Sequence, residues 1–171
     1  MNKLKEILIA TVAALAMPVV NAEVVSSSAD HYRLSHKASS SMTPDELWLR
    51  LVQPDTWWHP DHTYSGDSTN LSLDLRAGGH WSEQWADNSV LHGIVLNVDK
   101  GKLLRLDAPF GPLQSMAVTV IWTIRIEADG DGSVVMFEEL ANGVSTSQLD
   151  ELAGAVDGVK SEALARLVRK K

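Results

Sequence analysis

The sequence predicts an α+β domain in which an antiparallel sheet of about seven strands wraps around one long C-terminal helix. Runs of alternating apolar and polar residues, separated by turn signals, fill the middle of the chain, and this period of two is typical of strands. The connections between the runs are short, which favours antiparallel neighbours. From Ser147 to Arg169 the apolar residues follow a helical period instead. We expect one domain over residues 30–171, since the sequence shows neither an internal repeat nor a linker.

The N-terminal residues have the pattern of an export signal. Two early lysines precede an almost wholly apolar run from Ile7 to Val20, and Val20-Asn21-Ala22 places small residues where a signal peptidase cuts. The apolar run is too short for a comfortable membrane span, which needs about 20 residues. We therefore predict a signal peptide over residues 1–22 and a flexible lead-in over residues 23–29. The processed protein should be periplasmic or secreted and have no membrane span.

The composition narrows the classes of partner. The 171 residues carry a formal net charge of −7 at pH 7, and an acidic surface repels both nucleic acid and anionic membranes. The sequence has no cysteine, so disulfides and thiol chemistry are excluded. We therefore expect neither nucleic acid nor a membrane surface as a partner.

The first elements of the domain have clear signals. Alternation from Asp30 to Ser40 predicts a strand, which two short helices should follow. Thr43-Pro44-Asp45-Glu46 is a strong helix start, because threonine can cap, proline fits the first helical position and Glu46 can complete a capping box. Pro54 ends this helix, and Asp55–Trp58 predicts the second short one.

The later strands are separated by turns rich in glycine, proline, asparagine and aspartate. Met116–Ile126 carries apolar residues at alternate positions, which predicts a long strand with one buried face. In the terminal helix, an apolar stripe should face the sheet. The predicted strands after the helices are Leu71–Leu75, His80–Ala86, Val90–Val98, Leu103–Asp107, Met116–Ile126 and Ser133–Leu140, and the stripe consists of Leu149, Leu152, Val156, Val159, Ala163 and Leu167.

Four groups of residues, in a fixed order, resemble a known superfamily. They are Pro44–Leu51, Trp57-Trp58, Asp74–Trp81, and the set of Gly93, Val95, Val98 and Leu104. In this order and spacing the chain resembles the START-like (SRPBCC) superfamily, which includes polyketide cyclase-like domains. Within it, the chain is most similar to the branch of the activator of the ninety-kilodalton heat-shock chaperone ATPase.

This resemblance implies a helix-grip fold with a cavity between the sheet and the C-terminal helix. It implies no catalytic signature, because the superfamily includes lipid carriers, polyketide cyclases, hormone receptors and chaperone regulators, and a fold does not fix a function. The cytosolic chaperone is not expected as a partner, since an exported protein does not meet it.

The tryptophans indicate an apolar ligand in this cavity. The chain has six tryptophans but only two phenylalanines and two tyrosines. Trp57, Trp58, Trp81 and Trp85 are expected at one end of the cavity, where large flat walls suit a ring-bearing or acyl ligand. The alternative is a core that uses tryptophan for packing alone.

Two carboxylates are candidates for acid–base chemistry. Alternation places Glu83 between Trp81 and Trp85 on one face of its strand, where desolvation would raise its pKa and suit a catalytic acid or base. The alternative is a carboxylate at the rim, or one paired with an arginine. Glu138-Glu139 places one acid inward on the last strand whichever way that strand faces, as a second and weaker candidate.

His59-Pro60-Asp61-His62 is the most suggestive polar cluster. Two histidines and a carboxylate within four residues are ligand types of a metal site. Pro60, however, breaks the helix that would bring the two histidines to one face. We expect His59 and His62 to line a polar rim of the ligand site, and we predict neither a metal nor another cofactor.

The entrance to the cavity is expected between three segments: Trp57–Tyr64, Pro109–Leu113 and the first half of the last helix. Phe110 is apolar on a loop flanked by prolines, and apolar side chains on loops usually cover something. Gly154 and Gly158 are expected to thin the helix opposite this loop and make room for a ligand. The alternative is that these glycines let the helix pack closely on the sheet.

Three classes of function follow from these observations. The favoured one is an exported binding protein for a small, mostly apolar ligand, a lipid or an aromatic metabolite. The second is a cyclase- or hydrolase-type enzyme that uses Glu83 or a cavity histidine as acid–base. The third is a protein-interaction module that uses an exposed Trp57-Trp58 corner and the Pro109–Pro112 loop.

Overall fold

Eight antiparallel strands form one sheet in the computed structural model, which describes residues 20–170. The strands are β1 (Val20–Ser28), β2 (His31–Ser40), β3 (Leu71–Leu73), β4 (His80–Trp85), β5 (Asn88–Asp99), β6 (Leu103–Asp107), β7 (Thr119–Asp129) and β8 (Gly132–Asn142). Their spatial order is β1-β2-β8-β7-β6-β5-β4-β3. Helix α3 (Leu149–Val168) packs against one face of β1, β2 and β8, here called the inner face. The predicted α+β class, with an antiparallel sheet and a long C-terminal helix, is confirmed.

The additional strand is β1, which occupies most of the predicted flexible lead-in. Residues 23–28 belong to an edge strand that pairs with β2, for example Val24 with Leu34. Backbone hydrogen bonds hold this strand, and most of its side chains are exposed. The prediction of a loose segment is therefore wrong, because a serine-rich edge strand shows no alternation of apolar and polar residues. Residues 1–19 of the predicted signal peptide lie outside the described residues.

One of the two short helices expected before the main run of strands is an α-helix. Helix α1 (Pro44–Leu51) begins with the predicted capping box: the side chain of Thr43 accepts from the backbone N–H of Glu46, and the Glu46 carboxylate accepts from the backbone N–H of Thr43. The second helix reduces to short 3-10 turns at Pro54–Thr56 and Pro60–His62. A four-residue helix α2 (Pro112–Ser115) precedes β7, which is why that strand starts later than predicted.

A β-bulge in β5 changes which side chains face inward. Trp81 pairs with Gly93 and Ser82 pairs with Leu91, so His92 is an extra residue between two pairs. His92 and Gly93 are consequently both buried, which strict alternation does not allow. A Cβ at Gly93 would lie 2.8 Å from the carbonyl oxygen of Asp107, so the close approach of the neighbouring chain requires glycine there.

The predicted apolar stripe of helix α3 is only partly buried, and a buried lysine lies within it. Leu164 and Leu167 are fully buried, whereas Val156 is only partly buried. Lys160 is also buried, in the middle of the stripe. No helix within residues 20–170 combines the length and the apolar character that a membrane span requires.

The two glycines of α3 lie on its outer face. Gly154 and Gly158 are exposed, and no neighbouring atom lies within 4 Å of a Cβ built at either position. The expectation that they make room for a ligand is wrong, and so is the alternative of close packing, because both positions face away from the sheet.

We predict opposite effects for two substitutions in this helix. Gly158→Ala should raise the free energy of unfolding by about 0.5–1 kcal/mol, because alanine costs less backbone entropy in an open helical position. Leu164→Ala should lower it by about 2–5 kcal/mol, because it leaves a cavity in the core. Urea unfolding followed by tryptophan fluorescence measures both. A loss of stability in Gly158→Ala would contradict the exposed position of this face.

Candidate functional site

A cleft of about 450 Å³ opens where α3 meets two loops. These loops and the helix are the three segments between which the sequence predicts the entrance. The lining side chains come from Trp58 to Tyr64, His92, Phe110 to Leu113, and four residues on one face of α3, namely Leu152, Ala155, Val156 and Val159.

Aromatic rings form one wall of the cleft. The ring of Phe110 stacks on Trp58 at a centroid distance of 5.1 Å and an interplanar angle of 24°. The ring of Phe110 also stacks on His92, at a centroid distance of 5.5 Å and an interplanar angle of 23°. The three rings therefore give a continuous wall, and Val156 and Val159 face the same space from the helix. Such a surface favours an apolar ligand over a polar one.

The space deeper under the helix is filled with tryptophan. Trp57, Trp81 and Trp122 are fully buried, and the centroid of the Trp81 ring lies 5.8 Å from those of both Trp57 and Trp122. For Trp57 and Trp81 the interpretation as packing core is therefore correct. The open volume is at the mouth between helix and loops, rather than deep between helix and sheet.

The predicted site residues fall into three groups. Trp58, His62 and Phe110 line the cleft, and His59 lies beside its rim, where it contacts α3. Trp57, Trp81 and Glu83 are buried behind the cleft wall. Trp85 is half-buried near the end of β4, and Gly154 and Gly158 face outward, so these three do not line the cleft.

Glu83 anchors the loop that follows α1. Its carboxylate accepts hydrogen bonds from the backbone N–H of Tyr64 at 3.0 Å and of Ser65 at 2.5 Å, and it contacts His92 Nε2 at 2.9 Å. Burial alone would raise the pKa of Glu83, but these hydrogen bonds outweigh burial and lower the pKa. The expected upward shift is therefore wrong. Glu83 is an ionised, fully hydrogen-bonded anchor and a weak base.

His92 is a polar group of the cleft that is absent from the site residues predicted from the sequence. Glu83 is ionised and has no proton to donate, so His92 Nε2–H is the donor of their hydrogen bond. Burial lowers the pKa of His92, against the opposing effect of Glu83, and favours the neutral ring. In strict alternation His92 would point to the outer face with Ile94. The signal for the bulge that turns it inward is Gly93, because glycine inside a strand often marks a bulge.

The two predicted rim histidines hold the loop to α3. His62 Nε2 lies 3.3 Å from Glu162 Oε2, and His59 Nε2 lies 3.6 Å from Glu162 Oε1. The indole N–H of Trp58 also donates to the carbonyl oxygen of His62, at 3.0 Å. In the part of the chain that the structure describes, no three metal-ligating side chains form a group that could hold an ion.

A buried ion pair lies directly behind the aromatic wall. Lys160 Nζ is 2.7 Å from Glu139 Oε2, and both side chains are 2% exposed. The hydroxyl of Tyr32 donates to Glu139 Oε1 at 2.7 Å. The ammonium also lies 3.3 Å above the ring centroid of Trp122, a cation–π contact.

Burial shifts the pKa values of both proton donors in this group. It lowers the pKa of Lys160, against the opposing effect of Glu139, and it raises the pKa of Tyr32, with a further increase from the Glu139 charge. Glu139 is the inward acid that Glu138-Glu139 predicted. A cation opposite Glu139 was not predicted from the sequence. Two signals pointed to it: an inward carboxylate on an apolar face needs a partner, and Lys160 interrupts the apolar stripe of the helix.

Comparisons with known proteins identify the fold but not a family. No known protein family and no curated protein matches the sequence. The structure is similar to CalU16 from Micromonospora echinospora, with a TM-score of 0.57 and 16% identity over 88% of this chain and 80% of that one. It is also similar to the conserved protein of unknown function EF2215 from Enterococcus faecalis, with a TM-score of 0.54 and 14% identity over 81% of this chain and 70% of that one.

A third similar structure is an uncharacterised protein from Rhizobium leguminosarum. The TM-score is 0.53 and the identity 17%, over 89% of this chain and 99% of that one. At such low identities the likeness shows a shared fold alone. Together with the eight-stranded antiparallel sheet and its C-terminal helix, it fits a START-like helix-grip fold.

The buried ion pair gives a testable prediction for stability. Lys160→Met alone should lower the free energy of unfolding by about 3–5 kcal/mol, because it leaves the Glu139 carboxylate buried without its cation. Combining it with Glu139→Gln should recover most of that loss, since the amide oxygen can still accept from Tyr32. Urea unfolding of the single and double variants measures the coupling.

Lys170→Met is the matched control, because Lys170 is exposed and its contact with Glu46 is 3.7 Å long. It should leave stability almost unchanged. A Lys160→Met variant as stable as this control would contradict the buried pair.

Proposed function

We propose that this protein binds a small, mostly apolar ligand, a lipid or an aromatic metabolite, in the cleft between α3 and the two loops. The observation that supports this function best is the apolar cleft itself. Its volume of about 450 Å³ is within the usual range of small-molecule sites, and stacked rings form its wall. We also propose that the protein is exported, as the predicted signal peptide indicates, and that it acts in the periplasm or outside the cell.

A small ligand fits the cleft better than a protein partner does. The interaction hypothesis requires an exposed Trp57-Trp58 corner, but these side chains are 0% and 2% exposed. We also propose that the chain is related to the chaperone ATPase activator branch, which residues Pro44–Leu51 and Asp74–Trp81 resemble. This relation does not make the cytosolic chaperone a partner, because an exported protein does not meet it.

To test binding, we suggest the neutral fluorescent probe N-phenyl-1-naphthylamine. The wild-type protein should bind one molecule with increased probe emission. Val156→Trp should weaken binding by about tenfold or more, because the larger side chain fills the cleft. Fluorescence titration, with direct excitation of the probe, measures this.

Gly158→Trp is the matched control. It adds the same side chain two positions along the helix but on the outer face, where an added Cβ meets no neighbour. It should bind the probe like the wild type. Equal binding by Val156→Trp, or no binding by the wild type, would contradict the proposal.

An acid–base enzyme is the second candidate function, and the pairing of His92 with Glu83 supports it. A histidine at the wall of an apolar cleft, oriented by a carboxylate behind it, is a common arrangement for a general base. In this candidate the base is His92 rather than Glu83, whose oxygens already accept three hydrogen bonds.

If this candidate is correct, a compound that co-purifies with His92→Gln should be chemically altered when it is incubated with the wild-type protein. Mass spectrometry of the compound before and after incubation measures the change. His80→Gln, at an exposed position of the neighbouring strand, should act like the wild type. If the wild-type protein leaves the compound unaltered, the enzyme candidate is wrong and the protein only binds the compound.

A further inference from the structure

Most polar side chains that line the cleft are engaged within the protein. The hydroxyl of Thr63 donates to the carbonyl oxygen of Pro60 at 2.7 Å, and that of Tyr64 donates to the carbonyl oxygen of Gly111 at 3.3 Å. Asp61 is exposed, and His62, one third exposed at the rim, contacts Glu162. A ligand held in the cleft therefore meets few free polar groups.

His92 differs from these side chains because it is buried and has one nitrogen without a partner. Its ring is 3% exposed and its Nε2 is bound to Glu83, but Nδ1 makes no hydrogen bond to any residue between 20 and 170. Nδ1 retains some accessible surface, and His92 lines the cleft. This nitrogen is therefore the buried polar atom that a ligand in the cleft can reach.

The hydrogen bond to Glu83 decides what Nδ1 can bind. A neutral imidazole with its proton on Nε2 carries a lone pair on Nδ1, so this atom accepts a hydrogen bond and does not donate one. The ligand must consequently supply a donor at this point.

The charges around the cleft disfavour an anion. Asp61 lines the cleft, Glu162 lies at its rim, and Glu83 is directly behind His92. The nearest buried cation, Lys160, lies behind the ring of Phe110 with Nζ 4.6 Å from its centroid, and Glu139 neutralises it. A carboxylate would therefore meet an acceptor and several negative charges.

We infer that the ligand is a ring compound without a negative charge that carries a hydrogen-bond donor such as a hydroxyl group, and that this donor bonds to His92 Nδ1. The inference rests on the proposed function and narrows its ligand class. Phe110, Val156 and Val159 provide most of the apolar contact area, with Trp58 and His92 packed against Phe110, and Nδ1 provides the selectivity. Free fatty acids and aromatic carboxylates are excluded as preferred ligands.

Three probes of similar shape test this selectivity, each by displacement of N-phenyl-1-naphthylamine at neutral pH. They are 2-naphthol, its isostere 2-methylnaphthalene, and the anion 2-naphthoate. The wild-type protein should prefer 2-naphthol over 2-methylnaphthalene by about fivefold, the usual effect of one net hydrogen bond, and should bind 2-naphthoate most weakly. Equal affinities for naphthol and methylnaphthalene, or tightest binding of naphthoate, would overturn the inference while leaving the proposed function intact. Failure of the dye itself to bind would instead refute the proposed function.

Two further measurements assign the selectivity to His92. In His92→Phe, which retains a ring against Phe110 but has no acceptor, the preference for 2-naphthol should disappear. His80→Phe, the same exchange at an exposed position, should keep it. A preference that survives in His92→Phe would overturn the inference.

Nitrogen NMR of the wild-type protein does not depend on how the variants fold. The unprotonated nitrogen of His92 should shift much further when 2-naphthol is added than when 2-methylnaphthalene is added, because only the naphthol donates a hydrogen bond to it. No shift with bound 2-naphthol would overturn the role of His92.

Discussion

The buried ion pair between Lys160 and Glu139 is the constraint that fixes α3, and therefore the cleft, in place. Glu139 belongs to β8 and also accepts from Tyr32 of β2, so one carboxylate connects the helix to two neighbouring strands. A helix displaced by one turn would leave both charges unpaired among aromatic rings, which costs several kcal/mol. The pair therefore stabilises one register of α3 over its neighbours, and it does so at the level of the helix face that lines the cleft.

Glu83 fixes the opposite wall in a comparable way. It holds the loop after α1 through two backbone N–H groups and holds the ring of His92 through its Nε2. Each wall of the cleft thus depends on a buried carboxylate that does not itself line the cleft. The aromatic side chains between them supply the apolar surface, whereas the carboxylates determine where that surface lies.

Local patterns in the sequence predicted those parts of the structure that depend on interactions between residues close together in the chain. The periods of two and 3.6 indicated the α+β class, and the capping box at Thr43 indicated α1. Features that depend on distant partners were missed. Lys160 is acceptable within an apolar stripe only because Glu139 lies opposite, and His92 turns inward only because a bulge interrupts β5. The pKa of Glu83 was predicted in the wrong direction because its donors come from a separate loop, whose position no local pattern contains.

The place of β8 between β2 and β7 also makes folding depend on parts of the chain that are far apart. Tyr32 and Glu139, which meet across this pairing, are separated by 107 positions. The inner edge of β2 consequently has no partner until nearly the whole chain is available, and distant pairings of this kind slow folding. Until β8 inserts, the facing edges of β2 and β7 are open to pairing with other chains. The sheet is therefore completed from the C-terminal end of the chain, and a shortened polypeptide that lacks β8 would be a source of aggregation rather than a smaller working domain.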